Sequence, residues 1–123
     1  MSEQISSGFL IKQRAFLKLY LITLIENKYL YGLKLRDLLK DEFKELGFQP
    51  KHPEIYKALH DLMEQGIIYQ RKEKKQGTVY QEVVYYHFTD EGREKASAYK
   101  KLLKHELDRC IHLLQKAVKD NFY

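Results

Sequence analysis

Glu54, Lys57, His60 and Asp61 fall within about two helical turns of one another in the stretch HPEIYKALHDL. A short apolar step then leads to Arg71, Lys72, Glu73, Lys74 and Lys75. Carboxylates that accept, next to ammonium and imidazole groups that donate, are the side-chain set that can read base edges in the major groove of duplex DNA. In that chemistry Lys51, Lys57 and His60 face the groove, Lys57 donates to guanine O6 and N7, and Glu54 or Asp61 accepts from cytosine N4. The basic run holds four cations and one carboxylate, a net +3. Such a run can lie along phosphates or over the minor groove, with an affinity that weakens as salt rises. The plainer alternatives are a solvated helix face and a lysine-blunted edge strand. Lys12, Arg14 and Lys18 open an otherwise apolar helix, where cations oppose the helix dipole; a nearby phosphate would account for them.

Catalytic chemistry is poorly served. The histidines (His52, His60, His87, His105, His112) are scattered without an HExxH, and Cys110 belongs to an apolar seam, not to an electropositive pocket. The chain has no phosphate-binding loop, no nucleotide-type GxGxxG and no serine elbow. No catalytic residue, metal or cofactor is expected. A single cysteine excludes an intramolecular disulfide and every multi-cysteine metal motif, which fits a reducing cytoplasm.

The elements that must position the reading residues follow from periodicity. From Phe9 to about Glu26 apolar residues are dense enough for a helix buried on several sides. Leu35, Leu38, Leu39, Phe43 and Leu46 recur at three and four residues and predict a second helix, ended by Gly47. Pro53 suits the first position of a third helix, whose buried stripe is Ile55, Leu59 and Leu62 and whose stop is Gly66. Its opposite side carries Glu54, Lys57, Asp61 and Glu64, with His60 at the margin. "IIYQ" and "TVYQEVVYYHF" then predict a hairpin, with Val84, Tyr86 and Phe88 on one face and Val83, Tyr85 and His87 on the other.

Thr89 or Asp90 can cap a last helix of about 27 residues, roughly 40 Å long. Along it Ala96, Tyr99, Leu103, Leu107, Cys110, Leu114 and Ala117 keep near-heptad spacing. This predicts pairing with a second copy more than folding back on the same domain, so Tyr99, Leu103, Leu107, Cys110, Leu114 and Ala117 are the expected dimer seam. At 123 residues one domain is expected: a flexible arm over 1–8, a winged helix over 9–90 and a dimerisation helix over 91–119. The fold class is α+β, mainly helical, a winged helix-turn-helix with a long C-terminal helix. Twenty-two Lys and Arg against seventeen Asp and Glu favour a polyanionic partner. Neither a secretory signal nor a membrane span is expected, since Lys12, Arg14 and Lys18 break the one long apolar stretch.

"GFLIKQRAFLKLYLIT", "LYGLKL", "EFKELGFQPKHPEIYKALHDL", "QEVVYYHF" and "ELDRC" together resemble the bacterial replication terminator protein family, in order and over nearly the whole chain. The resemblance implies a homodimer joined through antiparallel C-terminal helices. It implies binding to terminator sites by two dimers on adjacent half-sites, and polar arrest of the replication fork by stopping the replicative helicase. It carries a DNA contact to Arg14 in "KQRAF", a basic recognition-helix position to Lys57, a basic wing to Lys72, Lys74 and Lys75, and a helicase-contact segment to Tyr31. The chain departs from the family in having proline in "HPEIY" where a capping Thr is usual. "YYHFTDEGREK" instead resembles the strand-to-helix junction of PadR-type transcription regulators, so a promoter-binding regulator is the alternative. A third reading is a protein interaction module built on the long helix, with no affinity for duplex DNA.

Overall fold

The computed structural model describes residues 5–28, 31–74 and 82–123, arranged around one central helix. α1 (Gln13–Glu26) buries Ala15, Leu17, Leu21, Ile22 and Ile25. α2 (Gly32–Glu42) covers it with Leu35 and Leu39, and α3 (His52–Glu64) with Ile55, Ala58, Leu59 and Leu62. The hairpin strands β1 (Ile68–Lys74) and β2 (Glu82–Phe88) contribute Ile68 and Tyr86. From α4 (Gly92–Phe122) come Ala96, Tyr99 and Leu103. Phe16, Tyr20, Phe43 and Phe48 seal one side of this core with ring centroids 4.7–6.2 Å apart, tilted and edge contacts that suit the aromatic quadrupole.

The order helix, helix, helix, hairpin, long helix is a winged helix-turn-helix with an appended helix. Gly66 stands at φ 73°, a left-handed conformation that closes α3 and aims the chain into β1. Thr89 or Asp90 was expected to cap α4, but the Thr89 hydroxyl donates to the Gly66 carbonyl at 2.7 Å. The residue preceding α4 is Glu91, and no side chain caps that helix. The hydroxyl is used where it is scarcer, on a turn that fixes the base of the wing.

α2 also ends sooner than its apolar spacing predicts. It stops at Glu42, and Lys44–Leu46 form a tighter 3-10 turn before Gly47, at φ 81°. The change in angular step rotates Leu46 off the buried stripe, leaving it 83% exposed. The segment expected as a free arm over 1–8 is held at its described end: Ile5 is buried, its carbonyl accepts the Lys12 amide at 2.8 Å, and Arg109 of α4 donates to the Ser6 hydroxyl at 3.0 Å. Ile5 has an apolar surface to cover, which a flexible arm would leave in water.

Lys18 does not reach solvent; it is 0% exposed, with its ammonium 4.9 Å from the centroid of the Tyr99 ring. A cation on an aromatic face, with its alkyl stem in the core, replaces the phosphate contact expected of it. Tyr99 and Leu103, expected in an intermolecular seam, are buried inside their own domain, where the Tyr99 hydroxyl donates to the Ala15 carbonyl at 3.4 Å. The first half of α4 folds back on α1 because the apolar surface it needs is already there.

β1 and β2 pair antiparallel from Ile68 opposite Phe88 to Lys74 opposite Glu82. Tyr31 makes a bridge to Tyr85 on the free side of β2, the two rings 5.9 Å apart. On the inner face, the Tyr86 ring lies so close to Gly32 that a Cβ there would stand 3.2 Å from it. Burial pushes the Tyr86 phenol up from its ordinary value of 10.0, and Tyr56 adds to the shift. The folded state therefore holds this proton more tightly than the unfolded chain does. The stability it contributes is fully present below the unfolded value and is lost as pH rises through the folded one. Tyr86→Phe is expected to flatten the loss of stability above about pH 10, read by urea unfolding across a pH series; an unchanged slope would assign that loss to other groups.

Candidate nucleic-acid interface

α3 presents its polar side unevenly, because α1 crosses beside it. Lys57, His60 and Glu64 point outward, while Glu54 and Asp61 turn toward α1 and are half-buried. Arg14 of α1 meets both: its Nη2 lies 3.7 Å from Glu54 and its Nη1 donates to Asp61 at 3.4 Å. The Arg14 Nε is buried without a partner, so the guanidinium is aimed along α3 and its hydrogen bonding is incomplete. Glu54 is shared, since its other oxygen stands 3.5 Å from the Lys57 ammonium. One turn on, His60 Nε2 and Glu64 Oε1 are 3.0 Å apart.

The N-terminus of α3 is open. Pro53 lies in its first turn, Lys51 precedes it in an extended conformation, and no side chain caps it. Pro53 has no amide and the Glu54 amide donates to the Lys51 carbonyl at 3.0 Å, so what this turn offers a phosphate is chiefly its positive dipole end. Lys12, just before α1, is also exposed.

Strand alternation divides the basic tract in two. Lys72 and Lys74 share a face with Gln70, Val84 and Tyr86, whereas Arg71 and Glu73 take the opposite face. Gln70, Val84 and Tyr86 line a hollow of about 400 Å³ with Tyr56 of α3 and Tyr31, so the lysine face is the one that looks toward α3. On the other face Glu73 lies 3.7 Å from Arg71 and 3.6 Å from His87. Lys72 and Lys74 therefore lie on the side of the wing that faces α3, and Arg71, paired with Glu73, lies on the other. Lys75 lies outside the described residues.

Residues 8–122 match the family model described as replication terminator protein. The chain belongs to the replication terminator protein family. Curated members from Bacillus subtilis (strain 168) and Bacillus vallismortis, both called replication termination protein, are 58% identical to it over 117 residues, covering 95% of this chain and 94% of each relative. Among solved structures it is similar to a Streptococcus transcriptional regulator (TM-score 0.62, 21% identity, 85% of this chain and 98% of that one). It is similar also to a PadR-like transcriptional regulator of Bacillus cereus (TM-score 0.60, 20% identity, 83% and 94%). Those two likenesses concern the fold.

The match to the terminator family takes in all four helices and both strands, so every described candidate contact lies inside it. Of the expected contact residues, Lys51, Glu54, Lys57 and His60 gather on or beside α3, Arg14 reaches them from α1, and Lys72 and Lys74 approach from the wing. Two residues absent from the sequence reading belong to the same surface. Tyr56 is exposed on α3 between Ile55 and Lys57, and Arg36 of α2 is held above its ordinary value by a hydrogen bond to Asp37, with Tyr56 a smaller contributor. The position of Tyr56, about 100° away from Ile55 and outside the stripe of Ile55, Leu59 and Leu62, was the available signal. Among the described residues no group of three or more His, Cys, Asp and Glu could hold a metal ion, and no helix is long and apolar enough to cross a membrane.

Proposed function

We propose that this chain is a sequence-specific double-stranded DNA-binding homodimer, without catalytic activity, that binds replication terminator sites and blocks the replication fork from one direction. Membership of the replication terminator protein family over residues 8–122 carries this reading. The cations Lys51, Lys57, Lys72 and Lys74, on α3 and on the face of the wing that looks toward it, supply its physical basis. α3 enters the major groove with Lys57 at base edges, its positive dipole end and Lys51 take phosphates, and Lys72, Lys74 and Lys75 follow the adjoining backbone. Lys12 and Arg14 approach the same strand from α1. Arrest depends on how slowly the bound dimer leaves and on contact between the Tyr31 segment and the replicative helicase. Work on DNA sites of the bacterial chromosome or a plasmid puts the protein in the cytoplasm, at the nucleoid.

The homodimer rests on α4. Beyond Leu107 the helix carries exposed Ile111, Leu114, Val118 and Phe122, Phe122 at 78%, in steps of three and four along one side. A groove of about 520 Å³ lined by Phe16, Leu19, Tyr20, Thr23, Lys100, Lys104 and Leu107 lies beside that stripe, between α1 and α4. An antiparallel second copy offers its stripe to this groove and receives the same in return, which is the self-complementarity a two-fold dimer requires. Cys110, buried, and Ala117, exposed, stand seven residues apart on one margin of the stripe.

A second reading, a PadR-like regulator on a promoter operator, rests on the resemblance of "YYHFTDEGREK" to the strand-to-helix junction of PadR-type regulators. Crosslinking the protein in its host and sequencing the bound DNA separates the two. Paired, overlapping half-sites oriented toward the replication terminus, or one such site on a plasmid, are expected for fork arrest; single palindromes over promoters would make it a regulator. Lys57→Ala is expected to lose about 1–3 kcal/mol on the recovered site and to relax preference at one base position. An equal loss on random duplex would reassign Lys57 to phosphate.

A further inference from the structure

Lys57 and Arg14 are the cations that the proposed function sends to DNA, yet neither ammonium nor guanidinium is idle in the free protein. Both sit on Glu54, at 3.5 Å and 3.7 Å, one on each carboxylate oxygen. A carboxylate in the first turn of α3 is favoured by the helix dipole, and that would suffice if Glu54 faced water alone. It does not explain why Glu54 lies between the two cations, one from its own helix and one from α1. Asp61 holds the far side of Arg14 at 3.4 Å, so Arg14 keeps an anchor when Glu54 lets go. Glu54 itself is 30% exposed, within reach of a partner but not solvated freely.

We propose that Glu54 is the selectivity residue of the recognition helix: it neutralises Lys57 and Arg14 in the free protein and releases them only at a site that offers the carboxylate a donor of its own, the N4 amine of a cytosine in the major groove. This rests on the reading that α3 enters duplex DNA. At such a site the exchange balances. Lys57 moves from Glu54 to a guanine edge or a phosphate, and Glu54 moves from Lys57 to cytosine N4, so no charged group ends unpaired. Opposite a guanine or thymine edge, or a phosphate, Glu54 meets only acceptors, and the cations must leave a carboxylate that gains nothing in exchange; adenine offers an N6 amine, but with its N7 acceptor beside it in the major groove. Discrimination then comes from a penalty against wrong sites as well as a contact with the right one. The net charge of +5 would otherwise favour every duplex alike, since phosphate attraction carries no sequence information.

The test compares wild type with Glu54→Gln, which keeps the shape and removes the charge. Each is titrated onto a fluorescent random-sequence duplex and onto the strongest duplex recovered by crosslinking, both across a salt series. Glu54→Gln is expected to bind the random duplex about three- to tenfold more tightly. Its slope of log affinity against log salt should steepen by about one, as one more phosphate is neutralised. The ratio of recovered-site to random affinity should fall by at least that factor. In a Lys57→Ala background the same substitution should produce a smaller gain, which shows that the freed cation is Lys57. Equal random-duplex affinity and slope in wild type and variant would overturn the inference while leaving DNA binding intact. An equal loss on both duplexes would also overturn it and make Glu54 a support for the seating of α3. Wild type that binds neither duplex in a salt-dependent way would remove the underlying DNA reading, and this proposal with it.

Discussion

Leu114→Arg is expected to turn a dimer into a monomer in sedimentation velocity and to weaken DNA binding in the same concentration range. Leu114 is half exposed in the single chain, where its exchange for arginine costs nothing in the core. The dimer places it against the partner groove. Burying a leucine contributes about 1.5–3 kcal/mol, and two-fold symmetry counts each substitution twice. A guanidinium desolvated without a partner adds several kcal/mol more. A combined loss of about 5 kcal/mol raises the dimer dissociation constant more than a thousandfold. A monomer contacts about half as many phosphates, so the salt slope of DNA binding should fall by roughly half as well. An unchanged mass would move the interface off α4, and a monomer with undiminished affinity would make dimerisation irrelevant to DNA.

Gly92→Ala acts on the monomer and is expected to be the most damaging single methyl in the chain. Its Cβ would stand 2.1 Å from the Ile67 carbonyl oxygen and 3.0 Å from the Thr89 hydroxyl. The Ile67 carbonyl cannot give way freely, because it accepts the Thr89 amide at 3.1 Å, and the Thr89 hydroxyl is tied to Gly66. Overpacking of this kind costs about 1–3 kcal/mol, and more where backbone must move; the gain from replacing glycine in a helix is about 1 kcal/mol at most. The clash therefore wins. A loss near 3 kcal/mol, or roughly 12 °C in Tm for a domain of this size, is expected by calorimetry. Ser97→Ala, on the exposed side of the same helix, should change little. If Gly92→Ala melts with wild type, the start of α4 does not pack on the α3–β1 turn as closely as described.

Much of the fold was legible because apolar spacing and turn residues agree. The stripes of α2 and α3, Gly47 and Gly66 at their ends, and the alternation in β2 all announce themselves locally. Spacing says that a stripe is buried but not against what. The seam of α4 is one unbroken repeat, yet Tyr99 and Leu103 meet α1 of the same chain while Leu114 faces out. Charge was the weaker guide for the same reason. Lys18 is charged in sequence but lies in the core by virtue of its four-carbon stem and the Tyr99 ring, and the Arg14–Glu54–Asp61 contacts exist only where α1 crosses α3. Residues forty and more positions apart leave no periodic trace of such a meeting. Which elements carry the candidate residues was legible in the sequence, and which of those residues pair with one another was not.

Because the faces of β1 alternate, the wing counts residues by parity. Lys72 and Lys74 look toward α3, and Arg71 and Glu73 look away. A one-residue insertion between Ile68 and Arg71 would swap the two sets, turning a carboxylate toward the DNA side and the lysines off it, with composition and net charge unaltered. An insertion of two residues would restore the arrangement. Among descendants of this sequence, length changes at the base of the wing should survive in even steps, a constraint invisible to any comparison that scores residues one position at a time.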